Sequence, residues 1–315
     1  MQDNIEAFGG DPGKVTLAGC SAGAYAVHAD ALHAFQNPSS RLLFHRIVMI
    51  SNDIPAQPKT PVEAQPQFDE LCQFFSISPS LPGAEKLSLL RRVSTEDLVS
   101  SIMKLNHHTF RPVTDGLFIQ PGMIEYHSNG SFAKAFKDRG FKLFIGEMLN
   151  EETLYAATNG SEANYDSLYL QVLNYYAPSV TTRVIKQYDL PSTGSDRKEW
   201  VDLYGIIISD GQVRAPSRFL AKSLFNHGVG MEDIWRYRTS YRLSFIDEKV
   251  PPRSFGVAHA MDKPFWKYVP PSAPLKHRLD LELIAMNRKF RYHPRPDGGR
   301  VCVDERLDPG LSGFC

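Results

Sequence analysis

Val15-Thr16-Leu17-Ala18-Gly19-Cys20-Ser21-Ala22-Gly23-Ala24, running on through Tyr25 to Phe35, is the stretch that decides the fold. Val15 to Ala18 is an apolar run that reads as a buried strand, and small residues follow it. Residues 25–35 have helical composition with no Pro or Gly. The order is strand, tight turn, helix. Gly19-x-Ser21-x-Gly23 fits a nucleophile elbow, in which a strained turn lifts a serine hydroxyl clear of the sheet. Glycine at 19 and 23 lets the helix start close against the strand, and Ala22 and Ala24 keep the same space open. The Ala22 N–H, at the helix start, would then point at a developing oxyanion. An ordinary Gly/Ser-rich turn in a strand–helix unit stands beside this reading.

Working outward, residues 2–8 read as a helix end closed by Gly9-Gly10, and Asp11-Pro12-Gly13 turns into the strand. Further strands are expected at 46–50, 142–146 and 234–238, and helices at 67–75, 85–92, 95–105, 165–173, 195–208 and 217–226. Strands alternating with helices argue an α/β fold with a parallel sheet. The Pro-rich stretches 55–66 and 270–274 read as loops. Residues 276–300, with basic residues among Leu281, Leu283 and Ile284, read as an amphipathic surface helix and tail.

With 35 Lys+Arg against 35 Asp+Glu, the chain has no long-range attraction for nucleic acid or an anionic membrane, so neither is an expected partner. No apolar run is long enough for a membrane span, and Asp3 and Glu6 stand where an export signal would be basic and then apolar. The sequons Asn129-Gly130-Ser131 and Asn159-Gly160-Ser161 would matter only on an exported chain. Four cysteines do not make a disulfide scaffold, and no His/Cys/Asp cluster has metal-ligand spacing. No cofactor is expected.

Residues 2–12 (QDNIEAFGGDP), then Val15-Thr16-Leu17 and Gly19 to Ala24, resemble the nucleophile region of the type-B carboxylesterases, the cholinesterase-like α/β-hydrolases. Similar stretches follow in order: Leu43 to Arg46 leading to Ile50-Ser51, Leu87 to Arg91, Pro112 to Gly116, and Ser209-Asp210 with Pro216. The resemblance implies an α/β-hydrolase fold from the nucleophile strand onward. It places a partial domain at 1–268 and a C-terminal extension at 269–315.

By the same resemblance Ser21 is the nucleophile, Ala22 an oxyanion donor, Glu151 the acid in Gly146-Glu147-Met148-Leu149-Asn150-Glu151-Glu152, and His259 the base in Gly256-Val257-Ala258-His259-Ala260-Met261-Asp262. Glu152 replaces the family's usual Gly; alternatively, both glutamates favour the first turn of a helix over 153–158. Ser21, Glu151 and His259 stand in the chain order of α/β-hydrolases. The other histidines, among them His28, His33, His107, His108 and His277, are expected to lie on surfaces or helices without chemical role. Ser51 matches a buried serine that supports the triad, although Asn52-Asp53 depart from the family's Gly-Ser and a plain β-turn reads equally well. Cys20 replaces a carboxylate beside the nucleophile, Leu89 stands where a family Cys would be, Cys72 has no obvious partner, and Cys302 and Cys315 could pair in an oxidising compartment.

The implied function is hydrolysis of small, uncharged or moderately apolar carboxylic esters through an acyl-enzyme, with secretion implied for complete members. The family takes further oxyanion donors from a Gly-rich loop on an earlier strand. The chain's Gly-Gly pairs, Gly9-Gly10 and Gly298-Gly299, are not placed for that task, and the resemblance implies that the early strands are absent too. The expectation is therefore impaired turnover and an unpaired edge on the nucleophile strand. A catalytically silent esterase-like binding module and a nonfunctional truncated product are the alternatives.

Overall fold

β1 (Thr16–Cys20) runs into Ser21 and directly into α1 (Ala22–Gln36), so the strand, turn and helix of the sequence reading form, with the strand one residue later and the helix three earlier than expected. The computed structural model describes residues 1–39, 41–242, 252–262, 291–294 and 300–303. Ahead of β1, the expected helix end is a single 3-10 turn, Ile5–Phe8, closed by Gly9 in the left-handed conformation.

β2 (Arg46–Ile50) forms over the predicted residues, with Ile47 and Met49 buried in alternation. The chain continues through α2 (Pro61–Phe74), α3 (Gly83–Leu90), α4 (Thr95–Ile102), α5 (Met123–Ser128) and α6 (Ser131–Asp138) to β3 (Lys142–Met148). After it come α7 (Glu152–Asn159), α8 (Tyr165–Leu173), α9 (Pro178–Ile185), α10 (Arg197–Ser209), α11 (Ala215–Asn226) and β4 (Ile234–Thr239). The four strands pair in parallel in the order β1-β2-β3-β4, and Ala18, Val48, Phe144 and Trp235 form one row across the sheet. Parallel pairing requires the helical crossovers that the sequence shows between the strands.

The proline-rich loop expected at 55–66 is a loop only in its first part. Thr60 accepts from the Glu63 N–H while the Glu63 carboxylate accepts from the Thr60 N–H, and Pro61 takes the first helical position, where its missing N–H costs nothing. A capping box thus outweighs Pro66, the one proline inside the helix. α5, α6 and α9 were not anticipated; α6 is held by the buried residues Phe132, Ala133 and Phe136. α10 and α11 are joined by one turn of π-helix, Asp210–Arg214.

The core has two parts. Val27, Phe35, Ile47, Phe136, Phe141 and Leu143 pack between the sheet and its helices, and Tyr155, Leu168, Val172, Tyr204 and Ile207 fill the space among α7, α8 and α10.

The chain divides into a unit of Met1–Ser240 with Phe255–Ala260 and a unit of Tyr241–Ser254 with Met261–Cys315. In the latter, β5 (Arg291–Pro294) and β6 (Arg300–Val303) pair antiparallel, so the end of the stretch read as a surface helix and tail is a strand at 291–294, and residues 295–299 lie outside the described residues. Tyr292, Val301 and Val303 are residue types that suit strands. Residues 276–290 of that expected helix, the 270–274 loop, His277 and Cys315 lie outside the described residues. Among the described residues no helix is long and apolar enough to cross a membrane.

Candidate active site

Ser21 sits at the C-terminal end of β1 with φ 59° and ψ −123°, a left-handed backbone that a non-glycine residue adopts at a cost of about 1–3 kcal/mol. Bonds on both sides hold it there. Its N–H donates to Ile50 O at 2.8 Å, and its carbonyl accepts from the Ala24 and Tyr25 N–H groups at 2.9 and 3.2 Å. The turn is also tight for a steric reason: a Cβ on Gly19 would lie 2.1 Å from Gly23 O and 2.6 Å from Ala24 N. A Cβ on Gly23 would meet nothing within 4 Å among the described residues. Close approach therefore requires glycine at 19 and not at 23, which corrects the symmetrical role expected for the pair. Ala22 opens α1, so its N–H has no acceptor within the helix. Gly9-Gly10 precedes β1, at the end of the strand opposite Ser21. Five residues at about 3.3 Å each separate it from the turn.

Glu151 and His259 meet. Glu151 is fully buried at the end of β3, where its Oε1 accepts from the Met148 N–H at 2.7 Å and its Oε2 lies 2.5 Å from His259 Nδ1. With both oxygens engaged, the carboxylate has one available orientation. The His259 ring contacts Tyr155, which places the imidazole against the start of the second core cluster. No hydrogen bond joins the Ser21 hydroxyl to His259 among the described residues.

The loop carrying His259 is registered on the loop carrying Glu151. Asn150 N–H donates to Val257 O at 2.9 Å, its side-chain oxygen accepts from the Val257 N–H at 3.1 Å, and Asn150 forms a parallel bridge with Ala258. The Thr153 hydroxyl lies 2.9 Å from Asn150 O and 3.1 Å from Phe255 O, touching both loops. Glu152 occupies the first turn of α7 and pairs with Arg214 of the π-turn. Burial pushes the Glu152 carboxyl up, but its own backbone N–H, Asn150 and Arg214 outweigh it and hold the group below its ordinary range. Burial works against the Arg214 charge too, and Asp210 and Glu152 overcome it and raise its pKa.

Ser51 is fully buried after β2 with φ 55°, and its N–H donates to Gly146 O at 2.8 Å, as Ser21 does to Ile50 one strand over. His28 lies on helix α1, as expected of a surface or helix residue, but it is buried and paired. His28, 2% exposed, binds Asp53 through Nδ1, and its Nε2 lies 3.0 Å from Nε2 of the equally buried His127. The departure from the family at Asn52-Asp53 was the available signal, since a buried carboxylate needs a partner. Burial first, and the neighbouring His28 second, hold the His127 pKa well below the imidazole range. A further feature missed in the sequence is Arg111, whose guanidinium stacks on Tyr25 of α1 and on Tyr175, 5.2 and 4.7 Å from the ring centres. Burial pushes the Tyr25 phenol up to about 12. Cys72 is a buried thiol outside any disulfide. Among the described residues no three His, Cys, Asp or Glu side chains converge as a metal site.

The sequence profile of the carboxylesterase family matches residues 1–291. The chain is 39% identical to an uncharacterised esterase/lipase of Schizosaccharomyces pombe over 269 residues, which are 84% of this chain and 50% of the relative. It is 32% identical to a carboxylic ester hydrolase of Gibberella moniliformis, covering 84% of this chain and 49% of that protein. Among solved structures it is similar to a PNB esterase, with a TM-score of 0.56 and 20% identity over 84% of this chain and 49% of that one. That likeness shows the α/β-hydrolase fold. The chain spans about half the length of the relatives it matches.

Proposed function

Because the chain belongs to the carboxylesterase family, we propose that it carries the Ser-Glu-His machinery of a serine carboxylic-ester hydrolase. The observation that supports this most is the Glu151–His259 hydrogen bond of 2.5 Å, formed by residues 108 apart in sequence. In this reading Glu151 holds His259 with its proton on Nδ1, leaving Nε2 to accept the Ser21 proton as Oγ attacks the ester carbonyl. The imidazolium, stabilised by Glu151, then protonates the departing alcohol. Water, deprotonated by His259, attacks the acyl-enzyme and releases the acid. Ala22 N–H donates to the oxyanion, helped by the α1 dipole.

Each oxyanion donor is worth about 10²–10³ in rate, so labelling of the nucleophile is a more direct test than turnover. An organophosphonate is expected to form a one-to-one adduct on Ser21 of the folded protein. Hydrolysis of p-nitrophenyl butyrate, where present, is expected to vanish in Ser21→Ala. A folded, monomeric protein that takes up no phosphonate at Ser21 overturns the assignment and favours an esterase-like module without catalysis.

A further inference from the structure

Arg214 makes four polar contacts that divide evenly between two segments. On its own helical segment, Nη1 donates to Oγ of Ser209, the last residue of α10, at 3.1 Å and to Asp210 Oδ1 of the π-turn at 3.0 Å. Across the gap to the acid loop, Nη2 donates to Leu149 O at 3.2 Å and to the Glu152 carboxylate. Leu149 and Glu152 flank Glu151 closely, the first two residues before it and the second immediately after. The other oxygen of Glu152 accepts from Asn150 Nδ2 at 3.1 Å, and Asn150 grips Val257, two residues before His259. Arg214, Glu152, Asn150 and Val257 therefore form one uninterrupted run of hydrogen bonds. It connects the π-turn to both loops that bear the acid and the base.

From this run we infer that Arg214 and Glu152 are positioning residues, an ionic strut that sets the separation and tilt of Glu151 against His259. The inference rests on the triad reading given above. It also explains two local features together. A lone Glu at position 152 would set a second partly buried carboxylate beside Glu151, which is tolerable only with a cation in contact. The π-turn widens the helical path between α10 and α11 by one residue, and Arg214 ends that turn. A planar guanidinium can reach the Asp210 carboxylate with one nitrogen and the acid loop with the other; a lysine ammonium cannot hold both directions at once.

The test compares wild type with Arg214→Gln, Arg214→Lys and Glu152→Gln in two ways. The first is the rate constant for phosphonate labelling of Ser21. The second is the downfield proton resonance of His259 Nδ1–H, which reports the Glu151 hydrogen bond without needing turnover. Loss of the strut is expected to slow labelling about 10–100-fold, as a misplacement near 1 Å does, and to broaden the imidazole resonance or move it upfield, with Arg214→Lys intermediate. An unchanged resonance in both Arg214→Gln and Glu152→Gln overturns the inference. Glu152→Gln keeps the side-chain volume and decides the matter if Arg214→Gln does not fold. If wild type is not labelled at all, the hydrolase reading fails, and the resonance still decides whether the strut exists.

Discussion

Gly19 and Gly23 approach so closely that a methyl group on the first would overlap the carbonyl of the second, at 2.1 Å from its oxygen. The contact is backbone against backbone, and no side-chain rotation can relieve it. Gly19→Ala is therefore expected to push α1 off β1 and to destabilise the fold by at least about 2 kcal/mol. Gly23→Ala is expected to cost well under half of that. Urea unfolding of the two variants checks the asymmetry; equal shifts would mean that the elbow is looser than the structure shows.

Glu151→Gln separates orientation from packing. The amide oxygen can still accept from the Met148 N–H, so the fold is expected to survive with a nearly unchanged unfolding midpoint. The amide nitrogen then faces His259 Nδ1 and donates to it, which forces the proton onto Nε2, where it blocks acceptance of the Ser21 proton. Reaction at Ser21 is expected to fall about 10⁴-fold, as it does where an orienting carboxylate becomes an amide. A drop of less than tenfold would assign the orienting role elsewhere, with Glu152 the first alternative.

The buried His127 predicts a pH-dependent stability. Burial and the nearby His28 keep His127 neutral in the folded chain, while an unfolded imidazole titrates near about 6.5. Below that pH the unfolded state takes up a proton that the folded state refuses. The contribution is therefore complete above about pH 6.5 and is lost as pH falls, at up to about 1.4 kcal/mol per pH unit. His127→Phe, which leaves His28 paired with Asp53, is expected to flatten the dependence of the unfolding free energy between about pH 5 and 6.5. An unaltered slope would show that His127 is charged, or reached by water, in the folded state.

How far these features could be read in advance depended on their range. β2 and α8 appear over the residues expected because one is β-branched and the other is bounded by Asn164 and Asn174. α5, of six residues, is too short for a periodic signal, whereas α6 sets Phe132, Ala133 and Phe136 on one face at helical spacing, a signal that was present and missed. The helix expected at 67–75 begins six residues earlier: the prolines at 61 and 66 hid its first turns, although the capping box was present in Thr60 and Glu63. Ser21 has a local motif. Glu151 and His259 do not, and their pairing was expected only through resemblance. The links Arg214–Glu152 and His28–Asp53 join residues 62 and 25 apart and left no periodic trace.

Gly256 supplies the last test, because it links backbone conformation to the placement of His259. Its φ is +63°, and a Cβ there would lie 2.3 Å from Asn150 Oδ1, the same oxygen that accepts the Val257 N–H. Gly256→Ala must pay the left-handed backbone cost, about 1 kcal/mol, and must also expel the Asn150 amide from its hydrogen bond, worth about 1 kcal/mol more. Phosphonate labelling of Ser21 is expected to slow about tenfold or more while the fold persists, since the loop that bears His259 loses one of its hydrogen bonds to the acid loop and keeps those from Asn150 N–H, Thr153 and Glu151. Asn150→Ala loses the same side-chain bond but removes the obstacle. In the double variant the two changes are therefore expected to cost less than the sum of the single ones, as contacting residues do. Strict additivity, in unfolding free energy and in labelling rate, would show that Gly256 and Asn150 act independently and that the His259 loop is held by other contacts.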